Sequence, residues 1–180
     1  MLPAPLTAPA LVRPPCPRSH RPPGENLLTD PIRHNAELAV QRLQGRVPGV
    51  WDFTPDSLAV VDRFLAAAAP QIAQLSAGDA RALASIIGCY VLEVGLREHG
   101  GEYQRFAGRE ESVLVVDRGT HQVALIPFDT VRARLAGSQG AAVSVLYRGF
   151  SDNVRSAAPG TRVLHGLDPA PAPPVGHAAR

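Results

Sequence analysis

The side chain with the strongest potential for chemistry is Glu93, within the stretch CYVLEVGLREH. It flanks the apolar face of a predicted helix, one turn after Cys89 and one turn before Arg97. A partly buried carboxyl group of this kind can have a raised pKa and serve as a general acid or base. The same spacing also predicts a plain i,i+4 ion pair between Glu93 and Arg97, and we favour that interpretation.

The sulfur chemistry open to this chain is limited. A nucleophilic cysteine needs a nearby base and a depressed pKa, and it gains both most readily at a helix N-terminus or beside a cation. Cys89 lies in mid-helix between Gly88 and Tyr90, where neither is expected. We therefore predict that Cys89 packs in the core.

The histidines show no pattern for binding a metal. His34, His99 and His121 are far apart in the sequence, and no CxxC pair accompanies them. His99 precedes Gly100 and Gly101, where its charged form would complement a helix dipole. His121 follows a predicted hairpin turn and is expected to be exposed; a pairing with Asp117 would lack a nucleophile. No metal and no cofactor are predicted.

Missing residue types and motifs exclude several classes of enzyme. All 18 basic side chains are arginines, so there is no Schiff-base lysine, pyridoxal-phosphate anchor or Walker A loop. The glycines form neither a GxGxxG after a strand nor a GxSxG elbow. Dinucleotide binding and α/β-hydrolase chemistry are therefore not predicted.

Charge, cysteine context and apolar content predict which partners and which cellular compartment suit the chain. The formal charge is +2, and arginines of the middle alternate with acidic residues, so nucleic-acid binding is not expected. Cys16 and Cys89 lie in such different contexts that a disulfide is improbable, which favours a reducing, cytoplasmic location. No apolar run approaches the length of about 18 residues that spans a membrane.

Both ends are rich in proline. Residues 1–26 hold eight of the 18 prolines, and the stretch after Ala157 holds five more. We predict disordered segments at 1–26 and 156–180 around a single domain at 27–155. PxxP patterns at 14–17 and 171–174 permit recognition by a proline-binding domain, although such patterns arise freely in proline-rich segments.

Capping and periodicity predict three helices before any strand. They run from about Asp30 to Gln44, from Pro55 to near Pro70, and from the Ser76 cap to Gly100. The third carries a strip of small residues, Ala84, Gly88 and Gly95, that lets another backbone approach closely. The alanines at 66–69 of the second helix are the predicted partner.

After the third helix the spacing of the apolar residues changes from 3.6 toward two. This change predicts three strands at 102–106, 112–117 and 121–126, with a turn at Arg118-Gly119. A short helix follows around Val131 and Leu135. Residues 141–150 fit either a strand or a helix, and we favour a helix. The predicted fold is α+β: a helical hairpin packed on a small three-stranded antiparallel sheet, with one or two further C-terminal helices.

Two segments carry a resemblance to a known group of domains. The segments are FTPDSLAVVDRFL and IIGCYVLEVGLREHGGEY, and strands follow them. They resemble uncharacterised, mainly actinobacterial domains in which a Ser-Leu-x-x-(Leu/Val)-Asp helix precedes a Gly-x-Tyr-x-x-Glu helix and a Gly-Gly-aromatic end. The matching residues are Ser57, Leu58, Val61, Asp62, Gly88, Tyr90, Glu93, Gly100, Gly101 and Tyr103. Tyr103 stands where tryptophan is more usual. The resemblance implies an α+β fold and no activity.

Two functions from different classes fit the sequence. The first is a non-catalytic module, immunity-like or regulatory, that holds a protein partner on its strand face or in a groove beside Tyr90 and Glu93. The alternative is an enzyme that uses Glu93 as general acid or base, with Arg97 or His99 positioning a small anionic substrate. The candidate binding residues are Tyr90, Glu93, Arg97, His99 and Tyr103. A third possibility is an oligomer-forming module with an uncovered apolar patch on the third helix.

Overall fold

The computed structural model describes residues 28–72, 74–106 and 111–166. The helices are α1 (Thr29–Leu43), α2 (Leu58–Ile72), α3 (Ala77–His99), α4 (Phe128–Leu135) and α5 (Val143–Ser156), and a 3-10 turn (Pro55–Ser57) leads into α2. The strands are β1 (Glu102–Arg105), β2 (Ser112–Asp117), β3 (Gln122–Leu125) and β4 (Arg162–His165). The α+β class is confirmed, and so is the helical interpretation of residues 141–150. The predicted disordered segment at 1–26 and both PxxP patterns lie outside the described residues.

The N-terminus of α3 has the side-chain cap that the sequence predicts. Ser76 accepts a hydrogen bond from the backbone N–H of Asp79 at 3.1 Å, as a cap should. Thr54, which the sequence predicts as the cap of the second helix, makes no side-chain cap, because its own N–H and hydroxyl both donate to Asp52. α2 also continues past Pro70 to Ile72. A proline inside a helix lacks the N–H bond and crowds the carbonyl four residues earlier, and α2 accordingly ends two residues after Pro70.

Within the part of the chain that the structure describes, the sheet is mixed and has four strands in the order β1-β2-β3-β4. The first three pair antiparallel, close to the prediction, and β4 then pairs parallel to β3 after the α4 and α5 connection. The predicted disordered segment from residue 156 is therefore wrong for residues 162–165. A strand of four residues among proline and glycine carries too little local pattern to be recognised, and pairing with β3 is what orders it.

Glycines of α3 allow the sheet and α4 to approach closely. A Cβ on Gly88 would lie 2.3 Å from the Phe128 ring, and one on Gly95 would lie 2.7 Å from Leu114. The predicted pairing of this strip with the alanines at 66–69 is therefore wrong. Large side chains of α4 and β2 fill the space that the glycines leave, because they bury more apolar surface than alanines would.

The helices surround α3, whose residues 86–95 are all buried. α1 is the main helical neighbour of α3, whereas α2 packs chiefly against α4 and α5. The predicted packing of α2 against α3 as a hairpin is therefore wrong, and α1 is the helix that pairs with α3. None of the helices in the described ranges is long and apolar enough to cross a membrane.

Candidate functional site

Glu93 is a buried carboxylate at the centre of a polar network. Its side chain is only 2% exposed. The Arg97 Nε donates to Glu93 Oε1 at 2.8 Å, and the Tyr103 hydroxyl donates to Oε2 at 3.1 Å. Arg33 Nε lies 3.9 Å from Oε1. The predicted i,i+4 pair with Arg97 is therefore present, and both carboxylate oxygens have a partner.

The backbone brings these groups together by simple periodicity. Tyr90, Glu93 and Arg97 follow each other at three and four residues, which places them on one side of α3. The chain then turns at Gly100 and Gly101, both at positive φ, and enters β1. Tyr103 is the buried residue of that strand and points back toward α3.

Tyr90 forms a second part of the site and supports Phe53. Its hydroxyl oxygen accepts from the Phe53 N–H at 3.0 Å and lies 2.6 Å from Ser57 Oγ. The rings of Phe53 and Tyr90 stack with centroids 4.8 Å apart, and the Trp51 ring meets Tyr90 edge-on at 4.9 Å. Sequence reasoning missed Phe53 and Ser57 as members, because both come from the segment before α2.

Phe53 also has an unusual backbone. Its φ is 62°, and among the described residues it is the one non-glycine at positive φ. Such a conformation costs free energy for a bulky residue and persists only when surrounding contacts hold it. Here the Tyr90 ring lies on Phe53, and the Arg97 guanidinium is 3.8 Å from the Phe53 ring centroid.

Burial keeps the phenols of this site neutral. It raises the pKa of Tyr103, and the charge of Glu93 raises it further. Burial also raises the pKa of Tyr90, against the opposing effect of Ser57. Both tyrosines therefore act as hydrogen-bonding groups at neutral pH, not as bases.

Cys89 has the environment of a core residue. It is buried, and burial raises the pKa of its thiol to about 11, although contacts with Asn35 and Ser85 lower it. Only a thiolate is a good nucleophile, so Cys89 is unreactive in the folded protein.

His99 is the candidate that the structure separates from the others. Its Nε2 lies 2.9 Å from Ser151 Oγ on α5 and 3.6 Å from Glu98 Oε2, on the side of α3 that faces α5. Burial lowers the pKa of His99, although the Glu98 carboxylate opposes this effect. The predicted grouping of His99 with Glu93 is therefore wrong, because six residues along a helix rotate a side chain well away from the starting face.

A surface groove lies beside His99. It has a volume of about 320 Å³ and is lined by Pro55 and Asp56, by Glu98 of α3, and by Tyr147, Ser151 and Arg155 of α5. We call it the α5 groove. Within it the Tyr147 hydroxyl donates to Glu98 at 2.6 Å, and Arg155 pairs with the same carboxylate. Glu93 is not part of its lining.

Ser151 and His99 do not form a hydrolytic triad in this groove. In such a triad the acid orients the histidine through the ring nitrogen opposite the one that faces serine. Here Ser151 and Glu98 both face Nε2 of His99, and the Ser151 hydroxyl also lies 3.4 Å from Glu98 as a donor. The serine hydroxyl thus lies between the histidine and a carboxylate on the same ring nitrogen, and these contacts join α3 to α5.

His121 and Asp117 of the β2–β3 hairpin also have structural surroundings. The Nε2 of His121 lies 3.2 Å from the Val154 carbonyl, so its half-buried ring packs on α5. Asp117 accepts from the Gly119 N–H in the hairpin turn and so has a structural partner there. Over the described ranges, no group of three or more His, Cys, Asp or Glu side chains could hold a metal ion.

Comparison with known proteins leaves the family open. No family model, curated protein or solved structure matches the chain. The resemblance to the actinobacterial domains therefore stays a prediction, and the assignment of function depends on the geometry of the site.

Proposed function

We propose that this protein is a small, non-catalytic, immunity-like or regulatory module that binds a protein partner through the surface formed by Arg33, Phe53 and Arg97. We call this surface the arginine face. The observation that carries the proposal is the way Arg97 is held. Its Nε is bonded to buried Glu93, its guanidinium lies on the Phe53 ring, and 45% of its side chain remains exposed.

An arginine held in this way has the properties of a binding anchor. Free arginine side chains lose rotamer entropy on binding, and a guanidinium already positioned loses less. Arginine and aromatic residues are also the types most enriched in the energetic centres of interfaces. The strained backbone of Phe53 is consistent with a residue retained for its position rather than for stability.

The charge of this surface suggests the chemistry of the partner. Arg33 and Arg97 have side chains that are 51% and 45% exposed, and they share the single buried carboxylate of Glu93. One positive charge is therefore left over at the surface. We expect the partner to present an acidic patch, with a carboxylate that meets the guanidinium of Arg97.

The arrangement of candidate groups favours binding over catalysis. A general acid or base must reach its substrate, and Glu93 is enclosed by Arg97 and Tyr103 with 2% of its side chain exposed. The thiol of Cys89 is buried, with a pKa of about 11. Both groups would need a rearrangement before they could act on a substrate.

The test compares three full-length baits in extracts of the native host. They are the wild type, Arg97→Gln, which removes the charge and keeps an amide donor for Glu93, and the matched control Arg81→Gln. Arg81 is exposed on the same helix, outside the arginine face. We expect one protein to be retained by the wild type and the control and lost by Arg97→Gln. Equal recovery by all three baits would refute the proposed contact surface.

The alternative function is an enzyme that uses Glu93 on a small anionic substrate positioned by Arg97. It requires Glu93 to become accessible, and a Glu93→Gln variant separates the two functions. A turnover found in the wild type and abolished by Glu93→Gln, with folding retained by circular dichroism, would support the enzyme. Retention of partner binding without any turnover would support the binding module.

A further inference from the structure

We propose that His165 of β4 and Asn153 of α5 form a proton-sensitive latch, which holds β4 on the sheet at neutral pH and releases it in acid. The inference goes beyond the proposed function, because the latch lies on β4 and α5 and includes no residue of the arginine face. It depends on the way β4 is attached, on the hydrogen bonds of Asn153 and on the charges around His165.

β4 is a short edge strand with little apolar anchorage. Its four residues are exposed or half-buried, and Leu164 is 36% exposed. Its parallel pairing with β3 ends in a bond from the Ile126 N–H to the His165 carbonyl at 2.8 Å. Strands of this kind open at a lower free energy than the core of a domain. A side chain that fixes β4 can therefore control whether the strand stays paired.

The imidazole of His165 provides such an attachment. Its ring lies edge-on to the Phe150 ring with centroids 6.2 Å apart, and its Nε2 is 3.0 Å from Asn153 Nδ2. Asn153 Nδ2 also donates to the Gly149 carbonyl at 3.1 Å, one turn earlier on α5. This second bond fixes the orientation of the amide, because a half-turn would place Oδ1 against the carbonyl oxygen of Gly149.

The fixed amide determines which form of the imidazole fits. Asn153 Nδ2 only donates, so His165 Nε2 accepts and the ring proton lies on Nδ1. Protonation in acid adds a hydrogen to Nε2, and two donors then face each other at 3.0 Å. The charged ring is more stable in water than in this contact. Acid should therefore open the latch.

The charges around His165 do not offset a proton on its ring. Burial is the cause that lowers the pKa of His165, and no charged neighbour among the described residues contributes. β3 has no charged residue, and Arg162 of β4 points to the opposite face of its strand. The charged residues of α5 line the α5 groove, on the side of the helix away from Gly149 and Asn153. They are Arg148, Asp152 and Arg155.

The other histidines that contact α5 have different surroundings. His121 Nε2 lies 3.2 Å from a backbone carbonyl of α5, which accepts from the neutral and from the charged ring alike. His99 meets Ser151, a hydroxyl that can accept as well as donate, and the Glu98 carboxylate lies beside it as a countercharge. Among the described histidines, His165 is thus the one that faces a fixed donor on α5.

The opening of the latch should follow the binding of one proton. With β4 released, the ring is in water and its pKa is the ordinary 6.5, whereas burial lowers that pKa in the latched state. The equilibrium constant for opening should therefore rise as the pH falls below 6.5, by up to about tenfold per pH unit, until the pH reaches the pKa of the latched state. Each opening uncovers the edge of β3.

Hydrogen exchange in the full-length chain measures this opening. The Ile126 amide donates to β4 and reports release of the strand, whereas the buried residues 86–95 of α3 report unfolding of the whole domain. After correction for the intrinsic rate, we expect Ile126 to be less protected than α3 at every pH. Its protection should fall by up to about tenfold per pH unit below 6.5. Equal protection of Ile126 and α3 throughout would overturn the latch, because β4 would then open only when the domain unfolds.

Two variants assign the effect to the latch. His165→Gln removes the titrating ring, so the protection of Ile126 should no longer depend on pH through this ring. Asn153→Asp replaces the fixed donor by an acceptor that favours the charged ring, so the protection of Ile126 should rise as the pH falls toward 6.5. The matched control is His34→Gln, at an exposed histidine of α1, and it should follow the wild type.

Nitrogen-15 shifts of the imidazole supply a readout that does not depend on exchange and that stands even if His165→Gln fails to fold. At neutral pH, His165 in the wild type should show the Nδ1–H tautomer. Its pKa should lie below 6.5 in the wild type and above 6.5 in Asn153→Asp. The proposal is overturned by an Nε2–H tautomer, by a pH-independent protection of Ile126 in the wild type, or by the same direction of pH dependence in Asn153→Asp and the wild type. Partner binding at the arginine face affects none of these outcomes.

Discussion

At the scale of single residues, the polar groups around Glu93 and Tyr90 satisfy one another. Glu93 is bonded to Arg97 and Tyr103, while Tyr90 is bonded to Phe53 and Ser57. A buried carboxylate without partners would carry a large desolvation penalty. These bonds therefore allow Glu93 to stay inside the fold, and the bond from Tyr103 can be measured by removing a single oxygen atom.

The Tyr103→Phe substitution removes only the hydroxyl that donates to Glu93 Oε2. Because it leaves a buried charged oxygen without that donor, we expect the free energy of unfolding to fall by about 1.5–3 kcal/mol. Urea denaturation followed by circular dichroism measures the change. Val145→Ala, at an exposed position of α5, is the control and should differ little from the wild type. An equal stability of Tyr103→Phe and the wild type would contradict a functioning hydrogen bond.

The pH dependence of stability reports on His99. Burial lowers its pKa in the folded protein below the ordinary value of 6.5, whereas the unfolded chain keeps the ordinary value. The unfolded state therefore binds more protons as the pH falls through 6.5, and the free energy of unfolding should decrease below that pH. His165, whose pKa burial also lowers, acts in the same direction. Denaturation series at several pH values should show that the free energy of unfolding changes less with pH in His99→Asn than in the wild type. An equal change in both proteins would mean that His99 does not contribute to the pH dependence.

At the scale of elements, helix ends and helix contacts depend on residues distant in the sequence. α5 begins after Ala142, which provides no side-chain cap. Asp62 of α2 takes that role, since its two oxygens accept from the N–H groups of Val143 at 2.8 Å and Ser144 at 3.1 Å. Asp62 is one of the residues that match the actinobacterial domains, and in the structure its side chain caps α5.

Removal of this long-range cap should loosen α5. Asp62→Ala leaves two N–H groups at the first turn without their acceptor, and we expect a loss of about 0.5–2 kcal/mol. Hydrogen exchange should show the loss first at the start of α5. Glu37→Ala, an exposed acidic residue on α1, is the matched control. Faster exchange spread evenly over the whole chain would argue against a local cap.

The contact between α3 and α4 is sensitive to a single methyl group. Gly88→Ala would place a Cβ against the Phe128 ring, and we expect overpacking to cost about 1–3 kcal/mol. Phe128→Leu in the same chain should recover part of that loss, because the smaller side chain makes room. A double-mutant cycle from thermal unfolding tests this; strictly additive effects would mean that the two residues do not press on each other.

At the scale of the whole molecule, the sheet of the described ranges gains its last strand, β4, after helix α5. β4 pairs with β3 and covers an edge that would otherwise be open. A chain that ends at Ser156, one residue past the predicted domain end at 155, lacks this strand.

Two truncations test the corrected boundary. A chain ending at Gly166 retains β4, and we expect its melting temperature to match that of the full chain. A chain ending at Ser156 exposes the β3 edge and should melt lower and associate during size-exclusion chromatography. Equal melting temperatures for both would show that β4 adds nothing to the stability of the fold.

Local signals in the sequence determined much of this architecture. Capping residues, glycine turns and changes of hydrophobic period depend on neighbours within a few residues, so helices α1 to α5, strands β1 to β3 and the Glu93–Arg97 pair could be predicted. Only the tertiary structure shows which distant residues and elements contact one another. The pairing of α1 with α3, the addition of β4, the cap from Asp62, the meeting of Phe53 with Arg97 and the separation of His99 from Glu93 all depend on contacts between distant segments. Such contacts are selected by shape and burial over the whole core, and these leave little pattern in any short stretch of sequence.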